Sequence, residues 1–302
     1  MDTVTGVDMA ISIAQNGGIA ILPRFDIPQV QVQKLKKVKS KNLPVAASVG
    51  VKEGEWVRLK MLVEAGVDHL NIDVAHGHMI KVIELIQKVR SHYPRLSLSA
   101  GVVATYQGAY DLFKAGVDVV TVGVGAGSIC TTRVQTGSGT PQFTSLIEAS
   151  RAARKFNKTI WSAAGVEDSG DIVKALAAGA SAVMLGNLLA GTDEAPPKIV
   201  TINGQRYKPY NGSTSLLEKN KQVKKNHLDK SSSYTHHIEG VSGFVPYRGP
   251  LDQHLKNLLA GVRSGYSYSG AFNTPDLWKK AKFCQVSTQA HLESNPHDII
   301  QM

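Results

Sequence analysis

The chain has 302 residues, 42% hydrophobic but only 6% aromatic, enough apolar material for one large core. No run reaches the ~18 consecutive apolar residues of a membrane span, the acidic, polar start MDTVTGVDMA does not resemble a secretion signal, and two cysteines leave no disulfide framework. The formal charge of +10 gathers at Lys34 to Lys41 and Arg206 to Lys230 without interleaved aromatics or a helix-turn-helix pattern; it favours attraction of small anions over nucleic acid.

In chain order, residues 1 to 16 read as a strand end followed by a helix carrying Met9, Ile11 and Ile13. GGIAIL (17–22) and LPVAASVGV (43–51) are apolar runs set off by glycine or proline, hence strands, and a helix is expected from about Glu53 to Ala65. AGVDHLNIDVAHGH (65–78) repeats the grammar: helix end, strand, polar loop. It returns at LSLSAGVVAT, AGVDVVTVGVG, TIWSAAGV and AGASAVMLGN. Alternating strand and helix units predict a parallel sheet with helices outside, an α/β architecture. Seven strands can be counted, one short of a closed eight-stranded barrel.

The stretch from 119 to 142, VVTVGVGAGSICTTRVQTGSGTPQ, carries the chemistry. A β-branched run, Val119 to Val122, ends in a loop with Gly123, Gly125 and Gly127, then Ser128, Cys130 and Thr132. Alternate glycines permit positive φ and expose backbone donors and carbonyls to an anion or a cation. A cysteine at the mouth of a barrel strand can attack an electrophilic carbon if its surroundings favour the thiolate. The plain alternative is a small buried cysteine after a tight turn.

GVGAGSICTTR followed by TGSGTPQ resembles the cysteine loop of the IMP dehydrogenase/GMP reductase family, and the likeness runs from MDTVT to SNPHDI. The resemblance implies a (β/α)8 TIM barrel, here lacking its first strand, a purine mononucleotide held by its phosphate, attack of the cysteine on purine C2, and hydride exchange with NAD or NADP. It further implies a homotetramer; the polar start and the free thiols lead us to expect a cytoplasmic protein, and the charge pattern and the absence of a long apolar run no nucleic-acid or membrane partner. The missing strand lies directly before MDTVT in the family, which points to an N-terminal truncation. Residues 23 to 43 simply join helix to strand where many members insert a regulatory CBS pair. A single catalytic domain spanning 1–302 is expected, with a flap and inserted segment at about 200–245 and no CBS module.

Site residues carry over where motifs match. Ser128, Gly165, Gly186, Asn187, Tyr210 and Gly212 correspond to the substrate cradle, with Asn187 standing where Ser or Gly is usual. Cys130, Thr132 and Glu239 correspond to the catalytic thiol and a proton pathway. Asp73 corresponds to an acid that meets the cofactor ribose, beside cofactor-loop positions Gly123 and Gly125. The carbonyls of Gly125, Gly127 and Cys130 match a monovalent cation site, with potassium the expected ion. His76 and His78, two apart on a loop, are better read as loop polarity than as metal ligands.

The departures bear on function. Ala163 stands where the family's seventh strand ends in an aspartate that binds the nucleotide ribose; Val102 replaces an asparagine beside that ribose, and Ser213 a methionine against the base. No Arg-Tyr pair occurs between Leu216 and His237; Lys224, Lys225 and His227 occupy the neighbourhood. Three readings therefore stand open: an IMP dehydrogenase converting IMP and NAD to XMP, a GMP reductase releasing ammonia with NADPH, and a nucleotide-binding paralogue with impaired catalysis.

Overall fold

Short glycine-bounded apolar runs become parallel strands here, and the amphipathic stretches between them become helices that cover one face of the sheet. The computed structural model describes residues 1–225, 235–296, 298 and 299. Helix α1 (Val7–Gln15) leads into β1 (Ile21–Leu22), then α2 (Pro28–Lys39), β2 (Ala46–Val49), α3 (Glu55–Glu64), β3 (His69–Asp73), α4 (Ile80–His92), β4 (Ser97–Val103), α5 (Tyr106–Ala115) and β5 (Val119–Val122). A loop and α6 (Thr132–Thr136) precede α7 (Gln142–Phe156), β6 (Thr159–Ser162), α8 (Ser169–Ala177), β7 (Ala180–Val183) and α9 (Asn187–Ala190).

All seven strands run parallel, and their order in the sheet is their order in the chain. Among the described residues β1 pairs only with β2 and β7 only with β6, so the sheet curls without closing. The architecture is a TIM-type barrel lacking its first strand. The strand end expected before α1 is instead a turn, in which Val4 N and Thr5 N both donate to Met1 O, at 3.0 and 2.9 Å. Extended backbone needs a ladder partner, and among the described residues no strand pairs with this segment. Val4 and Met9 pack instead against Leu188, Leu189 and Leu251.

Beyond α9 the segment expected as flap and insertion forms a second, antiparallel sheet. Strands β8 (Val200–Ile202), β9 (Gln205–Asn211) and β10 (Ser242–Pro246) lie in the order β10-β9-β8, and α10 (Leu216–Lys225) connects β9 toward β10. Helices α11 (Leu251–Tyr268), α12 (Thr274–Lys280) and α13 (Thr288–Glu293) complete the described chain.

The two faces of the parallel sheet differ. Leu70, Ile72, Leu98 and Val49 are fully buried with Leu35, Leu62, Ile86 and Leu112 of the helices, forming the main apolar core. The opposite face of β2 to β4 carries a polar row. Register aligns Ser48 with Asn71 and Asn71 with Ser99, and His69 with Ser97. Asn71 Nδ2 donates to Ser48 Oγ at 3.2 Å, and Ser99 Oγ to Asn71 Oδ1 at 2.7 Å. The His69 ring spans Ser97 Oγ and Ser99 Oγ, each at 2.8 Å, beside the Trp161 ring. Buried polar groups are tolerated because each finds a partner.

Burial drives the His69 imidazole down to about 4, with the Arg90 cation adding to the effect and Asp118 opposing it. A histidine held neutral in the fold but free to protonate once unfolded stabilises fully above its ordinary value near 6.5, and that stability drains away as pH falls toward 4. Urea unfolding at pH 7 and pH 5 is expected to show a loss of about 2 kcal/mol from this residue, and His69→Asn to flatten that slope.

Candidate functional site

β5 ends at Val122, and Gly123 turns the chain with a φ of +139° that side-chain-bearing residues rarely adopt. The turn is also crowded: a Cβ at Gly123 would lie 2.7 Å from Gln142 Oε1. The loop then meets the segment before β10. Thr131 N donates to Glu239 O and Val241 N to Ile129 O, both at 3.0 Å, so Cys130 lies antiparallel to Gly240. This strap brings together residues more than a hundred positions apart in the chain.

The strap aligns three side chains. Cys130 Sγ donates to Thr132 Oγ1 at 3.1 Å, and Thr132 Oγ1 donates to Glu239 Oε2 at 2.7 Å. A proton leaving sulfur can pass to the threonine oxygen while the threonine proton passes to the carboxylate, giving a thiolate and a neutral acid with no net charge created. Cys130 is half-buried and Cys284 exposed. Both Cys130 and Glu239 line a cleft of about 270 Å³, near the lower limit for a small-molecule site.

Ser128, Gly165, Gly186, Asn187, Tyr210, Gly212 and Gly127 line that same cleft. The Tyr210 hydroxyl is raised above its ordinary acidity range by burial, a shift that its hydrogen bond with Ser128 opposes. At Gly186 a Cβ would sit 2.9 Å from that hydroxyl, so only glycine lets the rim close on the ring. The wall between these donors is apolar: Ala163, Ala164, Met184 and Met1. The methyl of Ala163 offers no acceptor. Ser213 also lines the cleft, whereas Val102 does not; its backbone pairs with Val74 and Gly77.

Asp73, Gly123 and Gly125 are not brought into the cleft wall. Asp73 ends β3, on the same C-terminal rim of the sheet. Among the described residues no side chain hydrogen-bonds its carboxylate, so both oxygens can accept from a ligand such as a paired diol. Around the thiol loop, the carbonyls of Gly125 and Cys130 accept no backbone N–H among the described residues, and that of Gly127 accepts only from Cys130 N, at 3.0 Å. Their unspent lone pairs fit a monovalent cation.

The basic flap residues separate. Lys225 reaches Asp26 at 2.8 Å and Asp2 at 3.4 Å; burial alone would lower its ammonium, but these carboxylates outweigh it and hold it above its ordinary value. His227 and Lys230 lie outside the described residues. His78 pairs with Asp111 at 2.9 Å, and no group of three metal-ligating side chains exists among the described residues.

One residue was missed from sequence. Gln142, first in α7, turns its amide back beneath the strand ends: Nε2 donates to Val122 O and Ser162 Oγ, both at 2.9 Å. Its stem would collide with a Cβ at Gly165, at 2.7 Å. It thereby braces the thiol loop against the cradle; its only signal was a glutamine after proline at a helix start.

Comparison with known proteins agrees with this geometry. The family described as "IMP dehydrogenase / GMP reductase domain" matches residues 1–297. The chain is 46% identical over 257 residues to an inosine-5'-monophosphate dehydrogenase of Aquifex aeolicus, covering 85% of this chain and 52% of the relative. It is 45% identical over 263 residues to that of Nitrosopumilus maritimus, covering 85% and 55%, and 44% identical over 259 residues to that of Streptococcus pyogenes, covering 85% and 52%. The chain thus spans about half the length of the curated relatives it matches.

Gln142→Ala removes the donor from Val122 O and Ser162 Oγ and opens a void under Gly165. A stability loss of about 1–3 kcal/mol is expected in denaturant titration.

Proposed function

The chain belongs to the IMP dehydrogenase/GMP reductase family, and from that premise we propose that its cleft binds a purine mononucleotide and oxidises it at C2, as an IMP dehydrogenase. The observation that carries this reading is the Cys130–Thr132–Glu239 chain beside a cleft that Ser128, Gly165, Gly186 and Tyr210 also line. Cys130 Sγ bonds to purine C2, and its proton moves to Glu239 through Thr132. Ser128, Tyr210 and the backbone donors near Gly165 and Gly186 hold the phosphate, fixing the distance between anion and reacting carbon. Apolar Met1, Met184 and Ala164 exclude water from the nucleotide wall.

A nicotinamide cofactor, when bound, supplies the hydride acceptor; Asp73, at the end of β3, would hold its ribose. The bond between sulfur and C2 is then hydrolysed: the water oxygen bonds to C2, the departing sulfur takes back the proton held by Glu239 through Thr132, and the water proton passes to the carboxylate so freed and from there to solvent. The carbonyls of Gly125, Gly127 and Cys130 would hold a potassium ion and so stiffen the thiol loop.

GMP reduction is the second reading. No Arg-Tyr pair lies between Leu216 and His237, and Lys225 is engaged by Asp26, so the activation of water that only the dehydrogenase needs lacks a flap cation of the family kind. Against it stand relatives named as dehydrogenases at 44–46% identity.

Purified protein with IMP and NAD is expected to generate reduced cofactor, whereas consumption of NADPH with GMP would favour the reductase, and silence in both mixtures, from folded protein, a non-catalytic paralogue. Cys130→Ala is expected to abolish turnover in whichever mixture responds. Ala163→Asp is expected to tighten nucleotide binding tenfold or more in a titration, because a hydrogen bond to a charged acceptor contributes about 1.5–3 kcal/mol.

A further inference from the structure

Lys208, in β9, is only 3% exposed, and its ammonium lies among backbone carbonyls of the loop that follows α9. Nζ donates to Thr192 O and Ala195 O, both at 2.7 Å, and to Asp193 O at 3.2 Å. An ammonium has three N–H donors, and each finds an acceptor here. Bonds from a charged donor are the stronger kind, and a buried cation needs them. The acids of that loop are engaged elsewhere: Tyr247 Oη donates to Asp193 Oδ1 at 2.7 Å, and Leu251 N to Glu194 Oε2 at 2.9 Å.

What the ammonium holds is one wall of the cleft. Side chains two apart on a strand share a face, so Lys208 and Tyr210 leave β9 together, about 7 Å apart. Helix α9 is four residues long, about 6 Å from end to end. Strand β9 therefore meets both ends of that helix. Tyr210 closes on Gly186 at its start, where a Cβ would sit 2.9 Å from the hydroxyl, and Lys208 grips the loop at its finish. Gly186, Asn187 and Tyr210 all line the cleft.

We propose that Lys208 is a positioning residue for the nucleotide phosphate: by pinning the far end of α9 it sets the backbone of Gly186 and Asn187 against the Tyr210 hydroxyl. The proposal rests on reading Tyr210 and the backbone near Gly186 as phosphate donors. The loop has other support, since Arg248 N donates to Gly191 O at 2.8 Å and Asp193 N to Gly249 O at 3.0 Å. Removing the ammonium thus loosens the clamp without freeing the loop.

The test uses the whole chain with Cys130→Ala, so that ligands bind without turnover, and titrates IMP and inosine, which differ only in the phosphate, by calorimetry. Lys208→Met keeps an unbranched stem and removes all three donors. Its affinity for IMP is expected to fall about tenfold or more and its affinity for inosine to change less than about twofold. Lys208→Arg keeps charge and donors and is expected to retain the preference for IMP. Lys208→Gln, with an amide on a shorter stem, is expected to fall between them and gives the same comparison should the Met variant not fold. With Cys130 intact, in a protein that turns over, Lys208→Met is expected to raise the nucleotide KM and leave kcat unchanged. An IMP preference undiminished in folded Lys208→Met or Lys208→Gln, or an equal loss of both ligands, overturns the proposal and leaves the phosphate reading in place. Equal binding of IMP and inosine with Lys208 intact overturns the phosphate reading, and the proposal with it.

Discussion

The site depends on one short antiparallel strap, Ile129–Thr131 against Glu239–Val241. Two backbone hydrogen bonds of 3.0 Å close a long excursion of the chain, and side-chain geometry follows from them. With Thr131 N on Glu239 O, the carboxylate falls within reach of the Thr132 hydroxyl, and that hydroxyl within reach of Cys130. Neither side-chain contact would survive alone, because each is worth only about 1 kcal/mol against the entropy of closing the loop. The backbone pairing supports the chemistry, and the small sheet of β8, β9 and β10 supports the pairing, with Gly212 N donating to Val241 O at 2.9 Å.

A second constraint is the division of the parallel sheet into an apolar outer face and a polar inner row. The helices bury the leucines and isoleucines, supplying the nondirectional part of the stability. Ser48, Asn71, Ser99 and His69 instead lock neighbouring strands in register through hydrogen bonds that a one-residue slip would break. That rigidity lies directly beneath the rim on which Asp73, the thiol loop and the cradle sit. Gln142 does the same at the next pair of strands, joining β5 to β6 with a single amide.

The cleft draws its polar groups and its apolar lining from distant parts of the chain. The Tyr210–Ser128 pair and Gly127, Gly165, Gly186 and Gly212 line it together with Cys130 and Glu239, while Ala163 contributes a methyl and no acceptor. Ser213, Met184 and Met1 line it with small or flexible side chains.

Much of this was legible in the residues themselves. Seven apolar runs at barrel spacing foretold seven strands in chain order, because strand and helix periodicity are local properties; the gap left by an eighth was visible as a count. The loop motif marked Cys130, and family likeness marked Glu239 and the residues called the cradle, which line one cleft, and Thr132, which bridges Cys130 and Glu239 by hydrogen bonds. The start of the chain read as strand but forms a turn, since extended conformation depends on a neighbour that lies elsewhere. Burial of Lys219 could not be read from a helix of charged residues, nor the bracing role of Gln142 from a glutamine after proline. Those depend on which distant carbonyl or carboxylate the folded chain sets opposite each side chain, and only the tertiary structure decides that.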